Sequence, residues 1–166
     1  MSASENPILD AVIVGSGFSG LCIAIKMQQA GMSYVVLEQA GSVGGTWRDN
    51  TYPGAACDVP SNLYCFSFAP NPKWSRTYPQ QAEIQAYMNE CADRFDVRKN
   101  IQFNKAVTRA RFDVARKIWR VEINEGVEVF EARTLVMGVG GLSRPQMPVI
   151  QGIESFGGEM FHTARW

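Results

Sequence analysis

Three glycines and one acid near the start of the chain have the types and spacing needed to hold a dinucleotide. Gly15, Gly17 and Gly20 directly follow the apolar run 11–14, and Glu38 lies eighteen residues after the last glycine. After a buried strand, the first glycine allows a tight turn, the second lets a pyrophosphate approach the backbone, and the third lets a helix pack close to the sheet. The helix N-terminus then offers free N–H groups to the phosphates. The stretch therefore predicts a dinucleotide site.

The acid at the end of this unit narrows the choice of ligand. Glu38 follows a second apolar run, 34–37, where a carboxylate can accept hydrogen bonds from both hydroxyls of an unphosphorylated ribose. A 2′-phosphate would be repelled, so we expect FAD or NAD, and not NADP, at this site. A glycine-rich turn without a ligand is the alternative, and the complete strand–helix–strand setting argues against it. The residues assigned to the cofactor are Gly15, Gly17, Phe18, Ser19, Gly20 and Glu38.

A segment rich in Gly, Pro, Asn and Asp, 41–60, follows the second strand and is predicted to be a long loop without secondary structure. Gly44 and Gly45 let the backbone come close to a ligand, and Trp47 can cover a flat ring system. Asp58 is a carboxylate in an otherwise apolar setting and would need a partner if it were buried. Because long ordered loops in compact domains are usually functional, this segment is a second candidate for ligand contact.

The elements that must position these residues follow from apolar periodicity and turn residues. A strand at 11–14, a helix ending at Gly31 and a strand at 34–37 form the first unit. The later predictions are an irregular aromatic segment at 62–78, a helix from 80 or 81 to about 95, a short strand at 101–103, three strands at 106–112, 118–123 and 127–132 with a hairpin turn at 124–126, and a final buried strand at 134–139.

This order of elements indicates the fold class. A nicotinamide-binding half would continue with alternating strands and helices, whereas this chain continues with an antiparallel meander. By fold analogy, that crossover points to the FAD domain of disulfide-reductase-like flavoproteins. We therefore predict an α/β, Rossmann-type FAD-binding domain that combines a parallel sheet and helices with a three-stranded antiparallel meander.

Composition excludes several classes of function. The 166 residues, 46% of them hydrophobic, suffice for one domain with a core. Sixteen basic and sixteen acidic residues balance, which argues against nucleic acid and against an anionic membrane as partners. No apolar run approaches the roughly 18 residues of a membrane span, and the N-terminus lacks the pattern of a signal peptide. Cys22, Cys57, Cys65 and Cys91 form no C-x-x-C pair, which disfavours a redox disulfide or a zinc site and favours free thiols in a reducing cytoplasm.

Four further motifs identify a family. They are G-G-T-W at 44–47, Y-P-G-A-A-C-D at 52–58, L-S-R-P at 142–145, and the set Phe156, Gly158, His162 and Trp166, which fits F-x-G-x-x-x-H-x-x-x-W at every fixed position. Together they resemble the N-terminal region of type I Baeyer–Villiger monooxygenases over nearly the whole chain. The last motif is specific to these enzymes, whereas related nitrogen- and sulfur-oxidising flavin monooxygenases usually differ at its final position.

The resemblance implies a cofactor and a reaction. Family members bind FAD with a first Rossmann motif and NADPH with a second one further downstream. Reduced flavin reacts with O2 to give a flavin peroxide, which attacks a ketone, and rearrangement gives an ester or lactone. The resemblance places the FAD pyrophosphate at Gly15, Gly17 and Gly20 and its ribose at Glu38. It further assigns to cofactor binding Gly44, Gly45, Thr46, Trp47, Ala56, Cys57, Asp58, Tyr64 and Val107, of which 56–58 also border the nicotinamide.

The resemblance also implies roles for the two titratable residues in the family motifs. The acid that matches Asp58 orients an arginine that stabilises the peroxide, and this makes Asp58 the expected catalytic residue. The chain has no candidate for that arginine. His162 is the one histidine of the chain, and the resemblance puts it in an interdomain linker, where its effect is conformational and not a proton transfer.

The match corresponds to roughly the first third of a family member. The implied division is an FAD-binding domain at 1–145 and a linker at 146–166, with the NADPH domain absent from this chain. We therefore expect this chain alone not to oxidise a ketone with NADPH. We also expect apolar surface on the truncated face to favour self-association.

Three functions stay open on the sequence alone. The first is the FAD-binding part of a Baeyer–Villiger monooxygenase that acts on a small ketone with O2 and NADPH. The second is a flavin monooxygenase that acts on nitrogen or sulfur, against which Trp166 argues. The third is a stand-alone FAD-binding module without catalytic activity.

Overall fold

Residues 7–166 are described by a computed structural model of the chain. The strands are β1 (Leu9–Val14), β2 (Tyr34–Leu37), β3 (Ile101–Gln102), β4 (Val107–Asp113), β5 (Ile118–Ile123) and β6 (Glu128–Met137); the helices are α1 (Phe18–Gln29), α2 (Thr46–Asp49) and α3 (Gln81–Arg94); short 3₁₀ turns lie at Arg98–Asn100, Asn124–Gly126, Ile153–Ser155 and Thr163–Arg165. All six strands form one mixed sheet in the order β3-β2-β1-β6-β5-β4. The predicted Rossmann-type α/β fold is confirmed.

The central strand β1 separates two apolar cores. Ile13 packs in one core with residues of α1 and α3, and Val12 packs in the other with Val121 and Ile123 of β5. Both β1 side chains are fully buried. Because alternate residues of a strand face opposite sides of the sheet, a strand covered on both sides must be apolar throughout. This explains the continuous apolar run that predicted β1.

Strand β6 joins the parallel and antiparallel halves of the sheet. Its first half pairs antiparallel with β5, its second half pairs parallel with β1, and Ala132 is opposite both Trp119 and Leu9. The prediction of two separate strands, 127–132 and 134–139, is wrong, because no turn residue interrupts the extended backbone at Arg133. The prediction of a buried end is also wrong, since Met137 is 59% exposed and Val139 lies beyond the strand.

The two long helices lie where periodicity predicts them. The buried face of α1 includes Leu21, Ala24 and Ile25, and Gly31 reverses the chain after the helix with a φ of +67°. In α3, the buried residues are Ile84, Tyr87, Met88, Cys91 and Ala92. The predicted hairpin turn is also confirmed, with positive φ angles at Asn124, Glu125 and Gly126.

The segment 41–60 contains one turn of helix, α2, so the prediction of a loop without secondary structure is wrong. Gly44 and Gly45 have φ angles of +139° and +54°, and they turn the chain so that the amides of Trp47 and Arg48 donate back to the carbonyls of these two glycines. Glycine adopts such angles at little cost, and this lets a helical turn form without an apolar periodicity. The helix then brings its side chains to the edge of the sheet.

The aromatic segment 62–78 is irregular, as predicted, and its rings anchor it to α3. The Tyr87 hydroxyl accepts a hydrogen bond from the Phe66 amide and donates one to the Ala69 carbonyl, both at 2.8 Å. Phe66 and Phe68 stack with their centroids 5.1 Å apart. Tyr78, at the end of the segment, does not take part in this packing, because its side chain is exposed. Among residues 7–166, no helix combines the length and the apolar character that a bilayer crossing requires.

The contact between Gly15 and Gly20 gives a stability prediction. A Cβ atom on Gly20 would lie 1.8 Å from the Gly15 carbonyl oxygen, whereas a Cβ on Gly157 would have no neighbour within 4 Å. We expect Gly20→Ala to lower the free energy of unfolding by about 1–3 kcal/mol, the usual cost of overpacking, and Gly157→Ala to leave it unchanged. Urea denaturation of both variants is the measurement. Equal midpoints would contradict the close packing of α1 on the sheet.

Candidate functional site

A cleft of about 490 Å³ opens at the carboxyl ends of β1, β2 and β6. Ligands of open α/β sheets bind at this edge. The cleft brings together eleven residues that the sequence analysis assigned to cofactor binding, and they come from five separate parts of the chain. They are Gly15, Gly17, Phe18, Ser19, Glu38, Gly44, Gly45, Thr46, Trp47, Tyr64 and Val107.

The three glycines of the first turn have different surroundings. Gly15 has a φ of +93°, and a Cβ there would lie 2.8 Å from the Gly138 carbonyl oxygen. Gly20 lies behind the cleft, packed on Gly15. Gly17 instead has an allowed φ of −74°, and the nearest atom to an added Cβ would be the Gly45 Cα atom at 4.0 Å. Backbone conformation and packing therefore require the first and third glycines, whereas the second leaves space open at the cleft.

The N-terminus of α1 faces this space. Its N-cap residue is Gly17, which supplies no capping side chain, and the first turn contains no acidic residue. The first amide N–H groups of a helix have no partner within the helix. Together with the helix dipole, they make this end of α1 suited to an anion.

Glu38 is buried at the end of β2, with only 3% of its surface exposed. One carboxylate oxygen accepts hydrogen bonds from the Ser16 amide at 2.8 Å and the Ser16 hydroxyl at 2.7 Å. The other accepts from the Ala40 amide at 2.9 Å and pairs with Arg48 Nη1 at 3.0 Å. The sequence predicted an acid that is open to a ribose, and the structure places this acid in a fully hydrogen-bonded cluster.

Arg48 is a site residue that the sequence analysis missed. Besides Glu38, it contacts the Ser42 carbonyl at 2.8 Å and both carboxylate oxygens of Asp49, at 2.8 and 3.1 Å. Burial alone would lower the pKa of Arg48, but the carboxylates of Asp49 and Glu38 outweigh it and raise the pKa. The guanidinium therefore stays charged and balances the buried acid. The position of Arg48 in the sequence did not distinguish it from an ordinary surface arginine.

We name residues 43–47 the diglycine loop; its residues 44–47 line the cleft beside Gly17. The Gly44 amide donates to the Ser16 carbonyl at 3.2 Å. At the end of the loop, the Trp47 indole donates to the Tyr64 hydroxyl at 2.9 Å, with the two rings edge to face. Burial raises the pKa of Tyr64, so the hydroxyl keeps its own proton. Two aromatic side chains thus close this side of the cleft.

A second cleft of about 360 Å³ shares Thr46, Trp47 and Tyr64 with the first. The two clefts are therefore neighbours. The second cleft contains the other predicted residues, Ala56, Cys57 and Asp58. Asp58 is exposed, so its carboxylate does not need the partner that a buried acid would require. Within residues 7–166 this carboxylate makes no hydrogen bond or ion pair.

No residue of the C-terminal motif lines either cleft. His162 Nδ1 accepts a hydrogen bond from the Ala164 amide at 3.1 Å and so caps the last turn. The Phe156 ring covers Gly158, where a Cβ would lie 2.7 Å from the ring. Phe161 and Trp166 meet edge to face at 5.0 Å. These contacts are local and make no link to the cleft residues.

Besides Arg48, twelve further lining residues were not assigned to the cofactor. They are Val14, Ser16, Leu37, Gln39, Asp49, Lys105, Met137, Gly138, Val139, Gly140, Ser143 and Arg144. Of these, Ser143 and Arg144 belong to the L-S-R-P motif at 142–145. Among residues 7–166, no group of three or more His, Cys, Asp or Glu residues could hold a metal ion.

Comparisons with known proteins show what this chain is similar to. Residues 13–80 match a model of the NAD(P)-binding Rossmann-like domain, and residues 62–166 match the model of L-lysine 6-monooxygenase/L-ornithine 5-monooxygenase. A Baeyer–Villiger monooxygenase from Streptomyces coelicolor is 48% identical over 93% of this chain and 30% of its own length. A Baeyer–Villiger monooxygenase from Pseudomonas aeruginosa is 39% identical over 93% of this chain and 29% of its own length.

A solved structure is also similar to this chain over nearly its whole length. The crystal structure of OTEMO in complex with FAD and NADP has a TM-score of 0.88 at 40% identity, and the match covers 98% of this chain and 31% of that one. The chain thus spans about 30% of the length of the relatives it matches.

Proposed function

We propose, from the premise that the chain belongs with the Baeyer–Villiger monooxygenases that it matches over about 30% of their length, that it binds FAD in the cleft lined by Gly17 and Gly45. The observation that carries this proposal is the cleft itself. It has an uncapped helix N-terminus on one side, a buried acid at one end and space left open by Gly17. These are the features that a dinucleotide requires.

The cleft residues suggest where each part of FAD would bind. The N-terminus of α1 and Gly17 suit the pyrophosphate, and Glu38 suits the adenosine ribose. Trp47 and Tyr64 lie where the two clefts meet, and their rings suit the isoalloxazine. When bound, FAD supplies the redox chemistry, and the residues of this chain bind it, orient it and exclude water from it.

Ribose binding at Glu38 requires an exchange of hydrogen bonds. The four donors to the carboxylate are two backbone amides, the Arg48 guanidinium and the Ser16 hydroxyl. Of these, only the hydroxyl can turn away without moving the backbone or breaking an ion pair. A ribose hydroxyl can therefore replace Ser16 Oγ while the other three contacts hold the acid in place.

The remaining assignments concern NADPH and the reaction of the whole protein. The second cleft, with Ala56, Cys57 and Asp58, suits the nicotinamide of NADPH, most of whose site would lie outside this chain. The whole protein would then use NADPH and O2 to insert oxygen next to a ketone carbonyl and form an ester or lactone. Asp58 would serve by orienting an arginine from outside the chain, for which its unpaired carboxylate is available.

We further divide the chain into an FAD domain at 1–145 and a linker at 146–166. The polar contacts of the linker within residues 7–166 are local, as suits a segment between domains. Exposed apolar residues on and before it, among them Leu142, Val149 and Ile150, would favour self-association. The four free cysteines suit a reducing cytoplasm.

Oxidation of nitrogen or sulfur is the second candidate. The match of residues 62–166 to the L-lysine 6-monooxygenase/L-ornithine 5-monooxygenase model favours it. The relatives named Baeyer–Villiger monooxygenases at 39–48% identity and the complete C-terminal motif, with Trp166, favour ketone oxidation. We therefore rank ketone oxidation first.

FAD binding is tested best at Gly17. Glu38 is a poor target, because its removal also breaks contacts within the apoprotein, whereas a Cβ on Gly17 meets only Gly45 at 4.0 Å. We expect Gly17→Ala to change the unfolding midpoint little, because the lower entropy of the unfolded chain offsets the loss of a favoured N-cap residue. FAD binding should weaken about tenfold or more, because the pyrophosphate loses its close approach to backbone amides. Quenching of flavin fluorescence gives the affinity.

The matched control is Gly141→Ala. A Cβ at Gly141 has no neighbour within 4 Å, and the residue does not line the cleft. Its affinity for FAD should equal that of the unchanged chain. Equal affinities in all three proteins would place FAD elsewhere.

The role of Asp58 is tested in a chimaera of this chain with the downstream part of the Streptomyces coelicolor relative. With NADPH, O2 and a cyclic ketone, we expect Asp58→Asn to retain FAD but to release hydrogen peroxide in place of lactone, because the orienting charge is lost. Asp49→Asn is the comparison variant, because it makes the same change of charge at a residue that lines the first cleft and not the second. Normal coupling of NADPH to lactone in Asp58→Asn would refute the assignment, and oxidation of ornithine or a thioether in place of the ketone would favour the second candidate.

A further inference from the structure

We propose that Gln81 and Gln85 of α3 are positioning residues that hold the diglycine loop in the shape required at the wall of the FAD cleft. Gln85 Nε2 donates to the Val43 carbonyl at 2.6 Å, and Gln81 Nε2 donates to the Trp47 carbonyl. These two carbonyls stand at the two ends of the loop. The inference rests on the proposed function only in that this loop would contact FAD.

The amide of Gln85 supports the loop from behind. Gln85 does not line the cleft, whereas Gly44 does, and a Cβ on Gly44 would lie 2.1 Å from Gln85 Oε1. The amide thus fills the space that a side chain would take. Because the Gly44 amide donates to the Ser16 carbonyl, the loop is held between α3 and the first glycine turn.

This support fixes where the diglycine loop meets the first glycine turn. A Cβ on Gly45 would lie 3.3 Å from the Gly17 Cα atom, so the two backbones are in close contact, and a shift of the loop would move the part of the cleft wall beside the proposed pyrophosphate position. Gly44 and Gly45 have φ angles of +139° and +54°. Glycine adopts many backbone conformations, so contacts from outside the loop must select this one.

The orientation of the Gln85 amide carries a free-energy cost that a side chain serving only to pack α3 would not carry. Since the Val43 carbonyl can only accept, the Gln85 amide must present its NH2 group there. Gln85 Oε1 is then buried without a hydrogen-bond donor among residues 7–166. An unsatisfied buried acceptor is unfavourable, so the donated bond to the loop is the contact that explains a glutamine at this position.

The start of α3 also supports the second cleft. The Gln81 amide donates to the Ala55 carbonyl at 2.9 Å, and the Cys57 amide donates to the Pro79 carbonyl at 2.9 Å. The residues around the helix start therefore hold segments of both clefts. A change at Gln81 or Gln85 should therefore move the loop without replacing any residue that would contact FAD.

The test compares three variants of the full chain that introduce the same charge. Gln85→Glu and Gln81→Glu retain the shape of the side chain but replace the donor by a carboxylate oxygen that faces a carbonyl oxygen. Gln80→Glu is the matched control, because Gln80 is exposed at the same helix end and makes no side-chain hydrogen bond to the rest of residues 7–166.

Hydrogen exchange of the amides at 44–48 in the FAD-free chain is the first readout. We expect it to be about tenfold faster in Gln85→Glu and Gln81→Glu than in Gln80→Glu. The second readout is FAD: the affinity should fall about tenfold in the first two variants, with a changed visible circular dichroism of the bound flavin, and should stay within about twofold in the control.

Exchange rates and flavin signals equal to those of Gln80→Glu in both test variants would overturn the proposal. If one of the two test variants unfolds and loses its far-ultraviolet circular dichroism, the proposal is judged on the other variant. An unchanged chain that does not bind FAD would contradict the proposed function alone, because the exchange comparison needs no ligand and still tests the support of the loop.

Discussion

The buried carboxylate of Glu38 is the contact on which the site depends. It joins the first glycine turn through Ser16, the segment after β2 through Ala40, and α2 through Arg48. A buried charge is tolerable only when it is paired and hydrogen-bonded, so these three segments must stay together. The acid that suits a ribose is thus also the acid that assembles the turn, strand and loop around the cleft.

Strand β6 connects the site around Glu38 to the rest of the molecule. Because it pairs with β1 on one side and β5 on the other, the meander is part of the same sheet as the nucleotide-binding strands. The contact of Gly138 with Gly20, where a Cβ on Gly138 would lie 3.0 Å from the Gly20 amide nitrogen, fixes the end of β6 against the first turn. The far wall of the cleft, including Met137 and Val139, is positioned in this way.

The sequence predicted the elements whose signals are local. The apolar runs of β1 and β2, the glycines between them and the periodic faces of α1 and α3 each determine their structure within a few residues. The break proposed within β6 was wrong because the change of pairing partner leaves no mark in the sequence. Helix α2 was missed because hydrogen bonds, and not apolar spacing, produce it.

The polar contacts of the site were the least predictable. Arg48 meets Glu38 across ten residues of loop, and Gln85 meets Val43 across more than forty. Such pairs arise from the tertiary fold and have no periodicity. Eleven residues of the first cleft and three more of the second were nevertheless named in advance, because the glycine pattern and the family motifs carry their positions.

The most direct test of the account is an equilibrium titration of the chain with FAD, FMN and NADP⁺. In the proposed binding mode, the site would hold the pyrophosphate and the unphosphorylated ribose of a flavin dinucleotide. We therefore predict that FAD binds at least about tenfold more tightly than FMN, which lacks the ribose that Glu38 would hold. NADP⁺ should bind more weakly than FAD. Equal affinity for FAD and FMN, or tighter binding of NADP⁺, would contradict this account.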